Sequence, residues 1–163
     1  MRSRFSYVFE RTWGHLGLDE LDEYHEVIDA LSEHLSSAKS GIALHNRAVA
    51  YWEIGEIEKA LHDFKAAVEE LPRDYLPAQL QGMLLRELNH LPEALASFDQ
   101  AISTGPDAPS ARMCRGHMLM DAGRFADALA DFKHALRCDP SSKPAQNGLD
   151  SALDKLRESA PKK

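Results

Sequence analysis

The sequence predicts an all-α protein of stacked helical hairpins, and three observations carry that prediction. Ala60, Phe64, Ala67 and Pro72 recur as Ala94, Phe98, Ala101 and Pro106, and again as Ala128, Phe132, Ala135 and Pro140, at a fixed step of 34 residues. A period of this size marks an array of units that bury their apolar faces only by stacking. Each period also holds two apolar stripes at three- and four-residue steps, the helical interval. Finally, the small residues Ala48, Gly82 and Gly116 keep the same step, where one helix can approach another closely.

Composition bounds the rest. The 163 residues are 44% apolar, a globular composition long enough for one domain with a core. A net charge of −7 argues against nucleic acid and against an anionic membrane as partner. Cys114 and Cys138 are too few for a disulfide framework, and free thiols suit a reducing compartment. The stretch from Met1 to Glu10 is basic at first and then charged, with no long apolar run, so no secretory signal is expected. No segment approaches the ~20 apolar residues of a membrane span. The expected location is the cytoplasm.

In chain order, residues 1–40 read as an N-terminal helical extension. A short helix is expected from about Ser3 to Thr12, before Gly14 and Gly17 interrupt the pattern. From Asp19, the residues Leu21, Tyr24, Val27, Ile28, Leu31 and Leu35 form an amphipathic stripe ending between Ser36 and Gly41. Asp19, Glu20, Asp22 and Glu23 suit the positive end of that helix. Between Thr12 and Ala38 there are seven acids and no Lys or Arg, a solvated face or a patch for a basic partner.

The three units are residues 41–74, 75–108 and 109–142. In the first, Leu44, Ala48 and Tyr51 share one side of the leading helix, and Gly55 ends it. Ile57, Ala60, Leu61, Phe64, Ala67, Val68 and Leu71 form the inner side of the second helix, with Glu58, His62, Lys65 and Glu69 outside, and Pro72 stops it. The three phenylalanines are expected to fill the space between one hairpin and the next. Residues 143–158 carry Ala145, Leu149, Ala152, Leu153 and Leu156 on one stripe, a capping helix that shields the last hairpin. Residues 159–163 are a tail. Reading residues 7–40 as a fourth, degenerate repeat puts Glu26 and Glu33 at alanine positions and Ala30 at the Phe position in strict register.

Residues 41–142 resemble the tetratricopeptide repeat family. Its pattern of a small residue and an aromatic in the first helix, then Ala, an aromatic, Ala and Pro, is met by Ala48, Tyr51, Ala60, Phe64, Ala67 and Pro72. The second unit matches with Gly82, Ala94, Phe98, Ala101 and Pro106, and the third with Gly116, Ala128, Phe132, Ala135 and Pro140. Leu44, Ala78 and Arg112 replace the family's Trp; Arg47, Gln81 and Arg115 replace its Leu; Leu85 and Leu119 replace its Tyr. The arginine stems can still cover apolar surface. The resemblance implies a right-handed superhelix whose leading helices line a concave groove.

A second stripe on the leading helices falls on that implied groove. It comprises Ile42, His45, Val49 and Trp52, with Asn46 beside them; then Leu76, Gln79, Leu80, Met83 and Arg86; then Ser110, Met113, Cys114, His117 and Met120. The stripe is unusually apolar, and an apolar groove rich in methionine is an adaptable binding surface for an amphipathic helix or extended peptide. Trp52, Met83 and Met120 are the expected anchors, with His45, Gln79, Arg86 and His117 as polar orienters. The aromatic segment Phe5–Trp13 is an alternative occupant, in its own chain or swapped into a neighbour as a homodimer. Some family members grip the C-terminal carboxylate of heat-shock chaperones with Lys, Asn and Arg. Here His45, Val49, Leu80, Ser110 and Cys114 stand at the matching positions, so no such clamp is expected.

Nothing in the sequence points to catalysis. The eight histidines show no metal-ligand spacing, no Gly-rich loop follows a strand, and no cofactor or metal is implied. Cys114 and His117 lie one turn apart, a spacing that reads as groove lining rather than as nucleophile and base. Cys138 reads as a packed small residue at a helix end. The expected function is non-enzymatic protein–protein interaction. A dedicated chaperone or neutralising partner of one secreted or toxic protein, and a self-assembling scaffold, are the alternatives.

Overall fold

The computed structural model describes residues 21–159. They form eight helices: α1 Leu21–Ser37, α2 Gly41–Glu53, α3 Ile57–Glu70, α4 Leu76–Glu87, α5 Leu91–Thr104, α6 Pro109–Asp121, α7 Phe125–Cys138 and α8 Lys143–Ser159. No strand occurs among the described residues. The helix expected over Ser3–Thr12 and the last four residues of the tail lie outside them. The described residues divide into two compact units, one ending at Pro72 and the other beginning at Arg73, described separately below.

In the first unit, α1 packs on α2 and α2 on α3. Ser40 starts α2 by accepting the Ala43 N–H at 3.2 Å. The hairpin α2–α3 closes on Phe64, which is fully buried together with Ala48, Ala60 and Ala67. The rings of His45 and Trp52 stand edge-on to Phe64, with centroids 6.0 and 6.2 Å away. Burial of one such phenylalanine contributes about 1.5–3 kcal/mol.

In the second unit, α4, α5, α6, α7 and α8 each pack on the next. Phe98 and Phe132 are fully buried. A Cβ on Gly82 would lie 3.0 Å from the Phe98 ring, and one on Gly116 would lie 2.9 Å from the Phe132 ring. The cap adds the other wall: a Cβ on Gly148 of α8 would lie 2.5 Å from Phe132. Phe132 is therefore held between a glycine of its own hairpin and a glycine of the capping helix, so a larger residue at either place must displace the ring.

The turns inside the three hairpins repeat as closely as the cores. Gly55, Asn89 and Gly123, 34 residues apart, adopt φ of 81°, 60° and 72°. Their successors donate back over the helix end, Glu56 N–H to Tyr51 O at 2.8 Å, His90 N–H to Leu85 O at 2.9 Å and Arg124 N–H to Leu119 O at 2.8 Å. This is the Schellman closure, which needs a left-handed residue and so favours glycine or asparagine.

The arginines at the family's leucine position do more than cover apolar surface. Arg47 donates from Nε and Nη2 to Asp63 at 2.6 and 3.0 Å, and Arg115 donates likewise to Asp131 at 2.8 and 2.7 Å. The aspartates are 2% and 3% exposed, so these are buried, two-pronged ion pairs joining the two helices of a hairpin. Each arginine also reaches the preceding helix, Arg47 through Ser32 on α1 at 3.0 Å and Arg115 through Asp99 on α5. The middle hairpin has the neutral version, Ser97 to Gln81 at 3.4 Å.

One sequence expectation fails at a helix end. Cys138 is exposed rather than packed, because it is the last residue of α7 and its sulfur points along the surface to His134 Nδ1 at 3.8 Å.

Candidate functional site

The leading helices present their second face differently in the two units. On α2, Ile42 is 62% exposed, while His45, Asn46, Val49 and Trp52 are each 8% exposed or less. His45 and Trp52 are committed to Phe64, so they serve the core. Four of the five are therefore covered, where the sequence led us to expect an open stripe.

On α4 and α6 more of the face is reachable. Leu80 and Gln79 are buried, Leu76, Met83, Met113, Cys114, His117 and Met120 are partly exposed, and Arg86 is exposed. Two side-chain bonds tie these helices near their ends. Ser110 Oγ donates to Gln79 Oε1 at 2.8 Å, and Arg86 Nη2 donates to Asp121 Oδ2 at 2.9 Å. Between those ties lie Met83, Cys114 and His117, a strip of two sulfurs and an imidazole. Met113 and Met120 lean toward the core formed by Leu119, Ala128, Phe132 and Ala152, giving the strip an apolar edge. His117 lies edge-on to Phe132 at 5.0 Å.

The electrostatics of the strip oppose nucleophilic chemistry. Burial pushes the Cys114 thiol up to about 11, with Arg86 pulling weakly the other way. Burial and then Arg86 hold the His117 imidazole below its ordinary value. A thiolate–imidazolium pair needs both shifts reversed. Among the described residues no group of three or more His, Cys, Asp and Glu is placed to hold a metal, and no helix is long and apolar enough to cross a membrane.

At the positions matching a carboxylate clamp, His45, Val49 and Leu80 are buried, and Ser110 is bonded to Gln79. The sequence reading singled out Arg47 and Arg115 but missed their partners, Asp63 and Asp131. Their signal was available: residues sixteen apart read Arg47/Asp63, Gln81/Ser97 and Arg115/Asp131, changing together from charged to neutral and back.

Comparison with known proteins agrees with this geometry. Residues 80–143 match a family described as tetratricopeptide repeat, and residues 42–71 match a second family so described. No curated protein matches the sequence. Among solved structures, MamA protein is similar with a TM-score of 0.75 at 16% identity, over 93% of this chain and 79% of that one. The first TPR of Spaghetti (RPAP3) bound to the HSP90 peptide SRMEEVD has a TM-score of 0.68 at 16% identity, over 72% of this chain and 93% of that one. The Arabidopsis OM64 TPR domain has a TM-score of 0.65 at 19% identity, over 70% and 94%. At such identities the likeness is one of fold. With the recurring register and the two family matches, residues 42–71 and 80–143 of this chain belong to the tetratricopeptide repeat family.

Proposed function

We propose that the chain is a non-enzymatic protein–protein interaction module in the cytoplasm, and that the strip on α4 and α6 takes an amphipathic helix or extended peptide of a partner. The observation that carries this reading is the strip itself. Met83 and Met120 stay partly exposed beside Cys114 and His117, on a surface fixed by the Gln79–Ser110 and Arg86–Asp121 ties. Adaptable sulfur side chains on a rigid frame suit a helical or extended ligand better than a small molecule. Arg86 and His117 would orient the ligand, Gln79 being buried and held by Ser110, and in the first unit Ile42 is the apolar residue a partner can reach.

Trp52 and Val49 are buried, so their replacement tests folding rather than binding. The direct test is partner capture by Met83→Asp and Arg86→Glu, with Lys133→Glu as a control on an exposed side of α7. Capture is expected to fall with the first two and to survive the third, with helicity by circular dichroism unchanged. Retained capture in both strip variants would remove the strip from the function. A chaperone-tail peptide of the kind named in the Spaghetti structure is not the expected ligand, since no Lys, Arg or Asn stands at the clamp positions.

A further inference from the structure

We infer that a second site, the cleft between α5, α6 and α7, receives a lysine or arginine side chain of a partner protein. This inference is independent of the strip on α4 and α6. The cleft has a volume of about 270 Å³. That is below the ~300–1,000 Å³ of sites for drug-sized ligands, and is a size for one long side chain.

Its lining offers such a side chain both apolar surface and carboxylates. Leu95, Leu119 and Ala130 supply apolar surface for a methylene stem. The charged lining is three carboxylates, Asp99, Asp127 and Asp131, against two guanidiniums, Arg115 and Arg124. One negative charge is left over. Asp131 is consumed, because both its oxygens accept from Arg115. Asp99 accepts from Arg115 through Oδ1 only, and Asp127 accepts from Arg124 through Oδ2 only. Asp99 Oδ2 and Asp127 Oδ1 thus remain as acceptors on the rim, where their side chains are 60% and 54% exposed. A cation at the end of an apolar stem satisfies both features; an anion or a purely apolar group satisfies one or neither.

The first hairpin supplies an internal precedent. A cleft of about 280 Å³ lies at the same register, lined in part by Arg47, Tyr51, Lys59 and Asp63. There the chain's own Lys59 ammonium sits 5.5 Å from the Tyr51 ring centroid, paired with Glu56 at 3.3 Å. In the third hairpin Asp127 stands where Lys59 stands, Arg124 where Glu56 stands, and Leu119 where Tyr51 stands. The ion pair is reversed, the internal lysine is gone, and a carboxylate takes its place. The third hairpin thus presents a carboxylate, held by Arg124 through one oxygen, where the first presents its own ammonium.

The test is a titration of the ¹⁵N-labelled full chain with acetyl-Ala-Lys-Ala-amide, followed by amide shifts, with the norleucine analogue as the uncharged control. The expected shifts centre on Leu95, Asp99, Leu119, Asp127 and Ala130, and the norleucine peptide produces none there. Asp127→Asn should weaken binding about fivefold, the upper range for one exposed ion pair. Arg124→Gln, which frees the Asp127 carboxylate, should strengthen it. Both positions are exposed, and the spectrum of each variant reports its own folding. Three results would overturn the inference: shifts centred on the exposed acids of α1 (Asp22, Glu26, Asp29 and Glu33) instead of the cleft, equal binding of the norleucine peptide, or an Asp127→Asn affinity equal to that of the unaltered chain.

Discussion

Replacing Asp131 by alanine should destabilise the protein far more than Ser97→Ala, the polar deletion at the same register of the middle hairpin. The carboxylate is 3% exposed and accepts from Arg115 at 2.8 and 2.7 Å, and Arg112 Nη1 lies 3.9 Å from it. Removing one partner of a buried ion pair costs about 3–5 kcal/mol, because the other charge is left without compensation. Arg115 keeps its bond to Asp99 and its side chain is 23% exposed, so the lower end applies, about 3 kcal/mol. Arg115 cannot escape by neutralising. Its hydrogen bond to Asp131 already holds its proton more firmly than usual, and it stays charged at any working pH. For a chain of this length, 3 kcal/mol corresponds to a fall of roughly 6–12 °C in melting temperature. The comparison is Ser97→Ala in the middle hairpin, where a neutral bond of 3.4 Å is lost and the expected cost is at most about 1 kcal/mol. A double replacement, Arg115→Leu with Asp131→Ala, restores the family's own residue at the arginine position and should recover most of the loss. Thermal and urea unfolding of the four proteins by circular dichroism decides the matter. If Asp131→Ala costs no more than Ser97→Ala, or if the double variant is less stable than Asp131→Ala alone, the ion pair does not hold the hairpin as described.

Three further outcomes are expected. Asn89→Gly should stabilise by about 0.5–1 kcal/mol, since Asn89 holds a left-handed φ of 60° where the other two hairpins have glycine; an unchanged urea midpoint would show that asparagine bears the turn without cost. Gly148→Ala should destabilise by about 1–3 kcal/mol, because its Cβ would fall 2.5 Å from the fully buried Phe132 ring. The companion Gly123→Ala meets no neighbour and fails only through its φ of 72°. Iodoacetamide at pH 8 should modify exposed Cys138 first, with Cys114 slower by on the order of a hundredfold, because a thiol pushed up to about 11 holds little thiolate there; mass spectrometry of the two peptides reads the order directly.

Much of the architecture was legible because it rests on repetition. Phe64, Phe98 and Phe132, their alanines and the small residues opposite them occupy one register, and stacking leaves that register a single arrangement. The left-handed turns were legible only in part. Gly55 announced itself as a breaker, whereas Asn89 is the same turn in a residue with a side chain. The ion pairs were hidden because Arg47 and Arg115 read as departures from a pattern, one position at a time. Their meaning appears only with Asp63 and Asp131 sixteen residues on, across the hairpin turn. The second face of the leading helices shows the opposite limit. Periodicity assigns Val49, Trp52, Leu80 and Met83 to that face but cannot tell which of them a neighbouring turn covers, and only Met83 of the four stays partly exposed.

The most direct measurement of the proposed function is site-specific photo-crosslinking in the native cell, with the photoreactive residue placed at Met83 in one protein and at Lys133 in another. Met83 lies on the strip between the two ties, and Lys133 is exposed on α7. A binding strip on α4 and α6 predicts a discrete adduct of one partner from position 83, lost on Arg86→Glu, and none from position 133. The same adducts from both positions, or none from position 83 while the protein still co-purifies with a partner, would contradict it.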